Sequence, residues 1–587
     1  MFESDRWLDE LIVWLPITMM FVAQCKNLWP LLIEDRFSIE KVSLMLFSRF
    51  VIRISAGILI KIKSLKRSTM YYFIPAWYGQ GVEFWQPDMT PWYNRRKKID
   101  FDDTLHQVRI FQEQDLDPTL LLLTYQPHLR YFLHRYDLLE ANYFSVFDAI
   151  QGIPDQPMRC LQVKDLSWGE ECDFIYTPFA IVVEKKGQRY AEIELGPEGY
   201  LSMIRYFRNG QILREVIYDD RGFISSVLQF QDGQESYRAY MNSEGIWQLC
   251  HFLDGRGIVC NPDMKHRFKK DYYLNLEEVI WEFFDRYLEE QAQSSDCFVV
   301  ASERRMNRDV FEHLPQDSRK VLTWFKERNQ SDPIADYEPY LKAARLVVSD
   351  HQKFMDQVCK YFPDQVSKVR HMASYDTRLS LGMSQRVKES KIFYQIDLDQ
   401  LDMDAICQVL AFVAKYPRTK VLFGCFNAQH TDFESFKKEV EKLVSTSFQL
   451  DDFVSIKESQ GAENKLVENQ EIEYRFDFVN LLDETTLMRE LEYTRLIVDL
   501  SSEPHRYTQI AGISAGIPQI NIVASDYVSH LENGYILERL SDFEEAACYY
   551  LDQLKNWNQA LIAAIDKIRE NTGDRFVAKW EDDLKER

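Results

Sequence analysis

The sequence predicts an α/β protein built from two Rossmann-like domains, with an antiparallel β-meander inserted into the first. Three observations lead to this prediction. Short apolar runs alternate with amphipathic stretches in both halves of the 587-residue chain, which is typical of strands and helices in a doubly wound sheet. Between residues 160 and 259 this alternation stops, and turn signals recur every eleven or twelve residues. Near the C-terminus, a strand, a polar loop, a small-residue helix and a second strand form a βαβ unit.

The domain boundaries are predicted from the places where the pattern changes. The first Rossmann-like domain covers residues 70–159 and 273–388, and the antiparallel insert covers residues 160–272. The second Rossmann-like domain covers residues 389–541. Residues 542–587 have apolar side chains at helical spacing and are predicted to pack back across both domains.

The opening of the first domain reads as strand, helix, strand, helix. The first strand is predicted over Tyr71–Ala76, a helix begins at about Asp102, and the second strand covers Leu120–Leu123. Two further stretches, Leu129–Leu139 and Tyr143–Ile150, are predicted as helices from their apolar spacing.

Composition and charge exclude several classes of function. With 46% hydrophobic and 28% charged residues, the chain has the composition of a folded protein. A net charge of −22 argues against nucleic acid as a partner. The sequence has neither a phosphate-binding Gly-x-x-x-x-Gly-Lys loop nor a His-Glu-x-x-His zinc motif, so we predict no cofactor and no metal. The ten cysteines lack paired spacing and are expected to be reduced thiols in a cytosolic protein.

Residues 1–69 differ from the rest of the chain. They hold ten Lys and Arg against seven Asp and Glu, whereas the remainder holds 60 against 85. The apolar run Leu11–Ala23 contains Pro16 and is shorter than a membrane-spanning helix requires. We expect that the native protein starts at Met70 and that the preceding residues are translated upstream DNA. A membrane-associating arm is the alternative.

Tight turns divide the predicted meander into strands. Asn-Gly and Asp-Gly pairs supply the positive φ angles that short hairpins need. The long edges and aromatic faces of such a sheet make it a candidate docking surface for a partner, and a purely structural insert is the alternative. The turn signals lie at Pro197–Gly199, Arg208–Gly210, Asp219–Gly222, Gln231–Gly233, Asn242–Gly245 and Asp254–Gly257.

The C-terminal βαβ unit indicates where a ligand would bind. The buried strand Leu496–Leu500 is followed by a polar loop, Ser501–His505, and then by a helix that Gly516 ends and Pro518 prevents from continuing. The next strand covers Gln519–Val523. Ligands of open α/β sheets lie at the carboxyl ends of the strands, so the polar loop is the expected site.

This stretch resembles the nucleotide-sugar site of the retaining glycosyltransferases with two Rossmann domains, the B-type architecture. The resemblance places Glu503 at the first of two glutamates of those enzymes and Ala511 at the second. It also places Asp397 and Asp402 where the enzymes carry an Arg and a Lys for the donor diphosphate. Because a bound diphosphate needs cations, the donor site is predicted to be degenerate. A metal held by these carboxylates is an open alternative.

Six blocks from Met70 onward resemble the first accessory secretory protein of the accessory Sec system of Gram-positive bacteria. The resemblance implies a cytosolic, glycosyltransferase-like pseudoenzyme without catalytic residues, which can contact the inner face of the plasma membrane. It implies action with the second and third accessory secretory proteins, so that the accessory SecA motor and SecY channel export a serine-rich-repeat glycoprotein adhesin. The blocks are Phe73–Gly79, Phe101–Leu105, Leu129–Arg135, Ser145–Asp148, Leu381–Arg386 and Gln509–Asn521.

Two places are candidates for binding a sugar. One is the pair Glu503 and His505, where the resembling enzymes hold the donor sugar. The other is an aromatic loop whose rings could stack on a glycan, although such residues at a strand end more often pack in the core. The aromatic candidates are Trp77, Tyr78, Trp92 and Tyr93.

Two questions stay open at this point. An active retaining glycosyltransferase, or a co-subunit of one, is the alternative to a non-catalytic export component. The basic run Arg95–Lys98 is a candidate for contact with acidic lipid, and a solvated loop is the alternative reading of it.

Overall fold

The computed structural model describes residues 69–79, 102–196, 199–329, 333–372, 389–426, 428–457, 471–481, 484–525, 527–570 and 572–585. The described residues belong to one compact unit that begins at Thr69. Met1–Ser68 lie outside the described residues, and so do the predicted sugar-binding residues Trp92 and Tyr93 and the basic run Arg95–Lys98.

The first Rossmann-like lobe, lobe 1, begins with three βα pairs. Its first strands are β1 (Tyr71–Ile74), β2 (Thr119–Leu122) and β3 (Asn142–Ser145), and the helices that follow them are α1 (Asp103–Glu113), α2 (Leu129–Arg135) and α3 (Val146–Gln151).

One sequence prediction is wrong here. The stretch predicted as a helix over Tyr143–Ile150 begins with a strand, because β3 pairs in parallel with β2, with Tyr143 opposite Leu120. Ser145 ends this strand and caps α3, its hydroxyl accepting a hydrogen bond from the backbone N–H of Asp148 at 3.1 Å. The adjacent aromatic residues Tyr143 and Phe144 favour a strand. The helical spacing of apolar residues, on which the prediction is based, begins only after them.

A meander of ten antiparallel strands separates the two parts of lobe 1. Each strand pairs with its neighbours in sequence, and Asn209 and Gly210 have φ angles of 53° and 77° in the turn between the fourth and fifth of them, as a two-residue hairpin requires. The strands are β4 (Cys172–Tyr176), β5 (Ile181–Lys185), β6 (Gln188–Leu195), β7 (Leu201–Arg208), β8 (Gln211–Tyr218), β9 (Ile224–Gln231), β10 (Gln234–Met241), β11 (Trp247–Phe252), β12 (Gly257–Cys260) and β13 (Tyr272–Tyr273).

Lobe 1 then resumes and its sheet is completed. The described strands lie in the order β17-β16-β15-β14-β1-β2-β3, all parallel, which is a Rossmann order with one further strand. The added elements are α4 (Leu276–Gln291), β14 (Cys297–Ala301), α5 (Met306–His313), β15 (Arg319–Trp324), α6 (Lys326–Asn329), α7 (Glu338–Ala343), β16 (Leu346–Ser349), α8 (Gln352–Tyr361) and β17 (Val369–His371).

The second lobe, lobe 2, has a parallel sheet in the order β22-β19-β18-β23-β24-β25. The strand order reverses between β18 and β23, which is where ligands of this fold bind. Strands β20 and β21 form a separate antiparallel hairpin. The elements are β18 (Ser390–Ile396), α9 (Met403–Lys415), β19 (Thr419–Phe426), α10 (His430–Ser447), β20 (Val454–Lys457), β21 (Glu471–Tyr474), β22 (Phe476–Leu481), α11 (Glu484–Leu491), β23 (Thr494–Asp499), α12 (Arg506–Ala515), β24 (Gln519–Asn521) and β25 (Gly534–Ile536).

The C-terminal helices α13 (Phe543–Leu551), α14 (Leu554–Glu570) and α15 (Gly573–Lys585) cross from lobe 2 to lobe 1. Trp557 of α14 belongs to the core of lobe 2. Trp580 of α15 belongs to a core cluster of lobe 1, with its ring 5.6 Å from that of Phe111. In the part of the chain that the structure describes, no helix combines the length and the apolar character that a bilayer crossing requires.

Candidate functional site

Two loops meet at the switch point of lobe 2. The β18 loop, residues 397–402, follows β18, and the β23 loop, residues 500–505, follows β23. The hydroxyl of Ser502 donates a hydrogen bond to Gln400 Oε1 at 2.7 Å. The hydroxyl of Thr508, in the first turn of α12, donates to Gln395 Oε1 at 3.0 Å. The two loops are therefore held against each other by their own side chains.

A buried carboxylate shapes the β23 loop. Asp499 is 2% exposed. It accepts hydrogen bonds from the backbone N–H of Ser501 at 3.1 Å and of His505 at 2.6 Å, and a third from the Ser501 hydroxyl at 2.5 Å. Burial raises the pKa of Asp499 to about 6, and the charge of Asp397 adds to this shift, whereas the hydrogen bonds oppose it. Sequence reasoning missed this residue, although an Asp that ends a buried strand was a visible signal.

His505 is engaged in holding the start of α12. Its Nδ1 accepts a hydrogen bond from the backbone N–H of Thr508 at 3.3 Å, which caps the helix and places the proton of a neutral ring on Nε2. One face of the imidazole stacks on Phe426, with ring centroids 4.1 Å apart and an interplanar angle of 18°. This candidate sugar-binding residue thus has one ring face and one nitrogen already in use.

Glu503 faces lobe 1. Its Oε2 lies 3.7 Å from Nε2 of His351, which follows β16. Beside this contact, Arg506 Nη1 lies 3.2 Å from Oδ2 of Asp350, whose side chain is 4% exposed. The carboxyl ends of the two sheets are therefore joined by the protein's own side chains at the position where the resembling enzymes hold a donor sugar.

The two aspartates of the β18 loop cap backbone groups. Asp397 Oδ1 accepts from the backbone N–H of Asp399 at 3.0 Å. Asp402 Oδ1 accepts from the backbone N–H groups of Asp404 at 3.0 Å and Ala405 at 3.1 Å, so this residue is the N-cap of α9. The cap was visible in the sequence as an Asp just before an amphipathic helix. Neither the β18 loop nor the β23 loop contains a Lys or an Arg.

The space between the two loops is small. The pocket there encloses about 20 Å³ and is lined by residues of both loops, among them Asp397, Gln400 and Ser501. This volume holds roughly one water molecule. Nowhere in the described ranges do three His, Cys, Asp or Glu side chains converge as metal ligands.

Ala511 lies away from this pocket. It is 4% exposed and belongs to a buried apolar cluster with Phe393, Leu487 and Leu491. It is also absent from the residues that line the pocket. A glutamate at this position would be buried among apolar side chains, so the position that the resemblance assigns to a donor contact serves packing in this chain.

The aromatic candidates that the structure describes are packing residues. Trp77 is 5% exposed, its Nε1 donates to Asp102 Oδ1 at 3.2 Å, and its ring lies edge-on to Phe132 at 4.9 Å. Tyr78 is half-buried and its hydroxyl donates to Asn307 Oδ1 at 2.6 Å. The burial of Trp77 agrees with the alternative given for these aromatic residues, packing in the core.

A second charged cluster joins the meander to lobe 1. We call it the junction cluster: Arg130, Asp148, Asp219, Asp220 and Arg221. The last three residues form the turn between β8 and β9. Arg221 donates to both oxygens of Asp148 at 2.9 and 2.8 Å and to Asp219 Oδ1 at 2.7 Å. Arg130 donates from its backbone N–H and from Nε to Asp220 at 2.7 and 2.5 Å.

Comparison with known proteins relates the part of the chain that begins at Met70 to one family. The family model described as accessory Sec system protein, the first of the accessory secretory proteins, matches residues 70–587. The accessory Sec system protein of this kind from Streptococcus gordonii is 48% identical over 522 residues, which are 88% of this chain and 99% of the relative. These matches confirm the resemblance found in the six sequence blocks.

Two solved structures extend the comparison. The crystal structure of accessory secretory proteins 1, 2 and 3 in Streptococcus pneumoniae holds a chain that is 42% identical, with a TM-score of 0.74 over 88% of this chain and 99% of that chain. The pneumococcal O-GlcNAc transferase GtfA, solved with UDP and GlcNAc, is 12% identical, with a TM-score of 0.61 over 89% of this chain and 99% of that chain. This second likeness shows the fold alone, and it is that of the B-type glycosyltransferases.

Proposed function

The chain belongs to the accessory Sec system family of the first accessory secretory protein, and from that premise we propose that it is a non-catalytic component of the accessory export machinery. It acts in the cytoplasm and at the inner face of the plasma membrane. Together with the second and third accessory secretory proteins, it delivers a serine-rich-repeat glycoprotein adhesin to the accessory SecA motor and SecY channel.

The non-catalytic part of this proposal rests on one observation: the β18 and β23 loops are acidic and are hydrogen-bonded to each other. A sugar nucleotide brings a diphosphate, and burying it requires cations and donors. Here Asp397 and Asp402 line the pocket, the buried Asp499 precedes its lining residues Leu500 and Ser501, and Arg506, the cation next in sequence, lies against Asp350 at 3.2 Å. Burial, and after it the charges of Asp499 and Asp402, raise the pKa of Tyr394 in the pocket wall, as expected where negative charge dominates.

Titration of the purified chain with UDP-N-acetylglucosamine tests this part. We expect no saturable heat at micromolar to millimolar donor and no transfer to a serine-rich acceptor peptide. Micromolar binding followed by turnover would replace the proposal with its alternative, an active retaining glycosyltransferase or a co-subunit of one. Two observations favour that alternative: Glu503, and the Gly516-x-Pro518 ending, in which Gly516 has a φ of 68°.

The delivery role leads us to propose glycan contact at Glu503 and His505. Glu503 contacts lobe 1 and His505 stacks on Phe426 of lobe 2, at the carboxyl ends of the strands, where ligands bind in this fold. We expect that Glu503→Ala weakens binding of an N-acetylglucosamine-bearing serine-rich peptide to the assembled accessory complex several-fold. Glu532→Ala, an exposed change elsewhere in lobe 2, is the matched control. Equal affinities of the two variants would remove these residues from the glycan site.

For the protein partners, we propose that the β4 edge of the meander is the docking surface. In this edge strand Ile175 is 46% exposed and Tyr176 is 74% exposed, and the adjoining turn carries Phe179 at 60%. Exposed apolar side chains along an unpaired edge are what a partner strand can cover. The crystallised relatives support this proposal only in that accessory secretory proteins 1, 2 and 3 were solved together.

Substitution at this edge is a cleaner test than deletion of the meander. Removing residues 197–259 would also remove Tyr240 and Leu249, which are 0% exposed in the core shared with lobe 1. We expect that the double change Ile175→Lys, Tyr176→Lys abolishes co-purification of the second and third accessory proteins. Leu554→Lys, at an equally exposed position of α14, leaves it intact. Retained assembly of the edge variant would exclude this surface.

A further inference from the structure

One arginine of the meander is buried without a carboxylate. Arg238, on β10, is 5% exposed. Its Nη1 donates to the hydroxyl of Ser226 at 3.3 Å, its Nε is enclosed without an acceptor, and no carboxylate of the described residues lies within ion-pair distance of it. The part of the guanidinium within reach of solvent is therefore the edge that carries Nη2.

Three other buried arginines among the described residues have carboxylates or carbonyl acceptors. Arg130 and Arg221 meet aspartates in the junction cluster. Arg475, which is 4% exposed, donates from Nη1 to the carbonyl oxygens of Val413, Tyr416 and Thr419. Removing a guanidinium from water without an anion or a set of acceptors is strongly unfavourable. Arg238 thus differs from these three arginines, whose guanidinium groups meet carboxylates or carbonyl oxygens.

The groups around Arg238 are suited to an anion. His251, on β11, is its direct partner across the strands and is half-buried. Ser226 Oγ accepts hydrogen bonds from Arg238 and, at 2.9 Å, from the hydroxyl of Tyr125, so this fully buried hydroxyl fixes the position of the guanidinium. Burial and the charge of Arg238 lower the pKa of His251 to about 4, a shift that a neighbouring anion would reverse.

The carboxylate that acts electrostatically on Tyr125 is already engaged. Asp219 influences Tyr125 electrostatically. Both of its oxygens accept hydrogen bonds from Arg221, at 2.7 and 2.9 Å, and Arg130 lies 3.7 Å away. It is held in the junction cluster and does not neutralise Arg238.

We propose that Arg238, His251 and Ser226 form a binding site for one small oxyanion, with the chemistry of a phosphate or a carboxylate. The anion approaches from the solvent side of the guanidinium and receives charge-assisted hydrogen bonds from Arg238, whose Nη1 is held in position by the buried Ser226 hydroxyl. The site lies where the meander meets Tyr125, which follows β2 at the carboxyl end of the lobe 1 sheet.

Thermal unfolding of the full chain with and without oxyanions tests the proposal. The protein is compared in Tris chloride and in the same buffer with inorganic phosphate, sulfate or acetate, at ionic strength matched with sodium chloride. We expect at least one oxyanion to raise the Tm of the wild type by about 3 °C. Arg238→Gln is expected to lose this gain. Arg214→Gln, an exposed change in strand β8 of the same sheet, is expected to keep it. The ranking of phosphate against acetate distinguishes a phosphate source from the carboxylate of an acidic side chain.

A second readout covers the case in which Arg238→Gln fails to fold. In the wild type, the pKa of His251 followed by NMR rises when the effective oxyanion is added, and His251→Gln lowers the Tm gain without abolishing the fold. The proposal is overturned if oxyanions and chloride give the same Tm, if Arg238→Gln retains the gain, or if the pKa of His251 does not respond to the anion.

Discussion

Carboxylates are gathered in two regions of this molecule, and their partners differ. In the junction cluster three aspartates meet two arginines, with guanidinium-to-carboxylate hydrogen bonds of 2.5 to 2.9 Å. In the β18 and β23 loops, Asp397, Asp402 and Asp499 accept hydrogen bonds from backbone N–H groups, and these two loops contain no Lys or Arg. The first region pairs most of its carboxylate charge with guanidinium groups, whereas the second has no cation in its loops.

The different partners of the carboxylates indicate different structural roles for the two regions. A buried cluster of paired charges fixes one structural unit to another, here the meander to lobe 1. Carboxylates that cap helices and turns give local order without a cation. Lobe 2 retains the shape of a nucleotide-binding lobe, and our proposal that it does not bind a diphosphate rests on the charge of these carboxylates.

The largest expected effect comes from breaking the junction cluster. Arg221→Met leaves Asp148 and Asp219 without their guanidinium, and we expect a loss of about 3–5 kcal/mol of stability. The urea midpoint measures it. Arg256→Met is the matched control, because Arg256 pairs with Asp254 at the surface, with side chains 61% and 48% exposed. It should change stability by less than about 1 kcal/mol. Similar losses for the two variants would contradict the role given to the cluster.

Restoring the second glutamate of the resembling enzymes, at position 511, is expected to destabilise the fold. Ala511→Glu places a carboxylate in the apolar cluster with Phe393 and Leu487, and we expect a loss of about 3 kcal/mol. Ile562→Glu, at a position that is 61% exposed on α14, is the control and should be nearly neutral. A stable Ala511→Glu variant that bound UDP would show that this position does face the ligand site.

The buried Asp499 predicts a defined pH dependence. Its pKa of about 6 in the folded chain lies above the value of about 4 in an unfolded chain. Between these two values the folded protein holds a proton that the unfolded chain has lost, so this residue's contribution to stability falls as the pH rises from about 4 to 6. Asp499→Asn should remove that part of the slope, up to about 3 kcal/mol. Urea midpoints at both ends of the range measure it, and an unchanged slope would count against the shifted pKa.

The smallest expected effects are those of two substitutions at Asp402, which distinguish the capping hydrogen bonds of this side chain from its negative charge. Asp402→Ala removes the N-cap of α9 and should lower stability by about 1 kcal/mol. Asp402→Asn keeps a capping oxygen and removes the charge, so it should lower stability by less than about 0.5 kcal/mol. Thermal unfolding of the two variants decides the point. Equal losses would show that the negative charge, and not the cap, stabilises the helix.

Much of the fold could be predicted because each element carries its own pattern. The helix predicted from Asp102 is α1, capped by the side chain of that residue, and the strand predicted over Leu120–Leu123 is β2. Turn residues such as Asn209 and Gly210 predicted the hairpins of the meander. Strand β3 was missed because four residues at a sheet edge carry too short a pattern to outweigh the helical spacing that follows.

The candidate site was only partly predictable. The charges of Asp397 and Asp402 are visible in the sequence, and so is the loop that holds Glu503. The contact of Arg506 with Asp350 joins two lobes, and no local pattern specifies a partner so distant in the chain. The burial of Trp77 likewise depends on Phe132, which another helix supplies. Local rules predict elements and caps, whereas contacts between elements require the fold.

The path of the C-terminal helices has a consequence for how the protein is made. Strand β1 pairs with β14, Tyr71 opposite Cys297, and Trp580 of α15 completes the packing around Phe111. Strand β1 and Phe111 thus find their last partners in segments that are synthesised much later. Lobe 1 completes its packing only after α15 has been made, and until then its unpaired strands are exposed to aggregation.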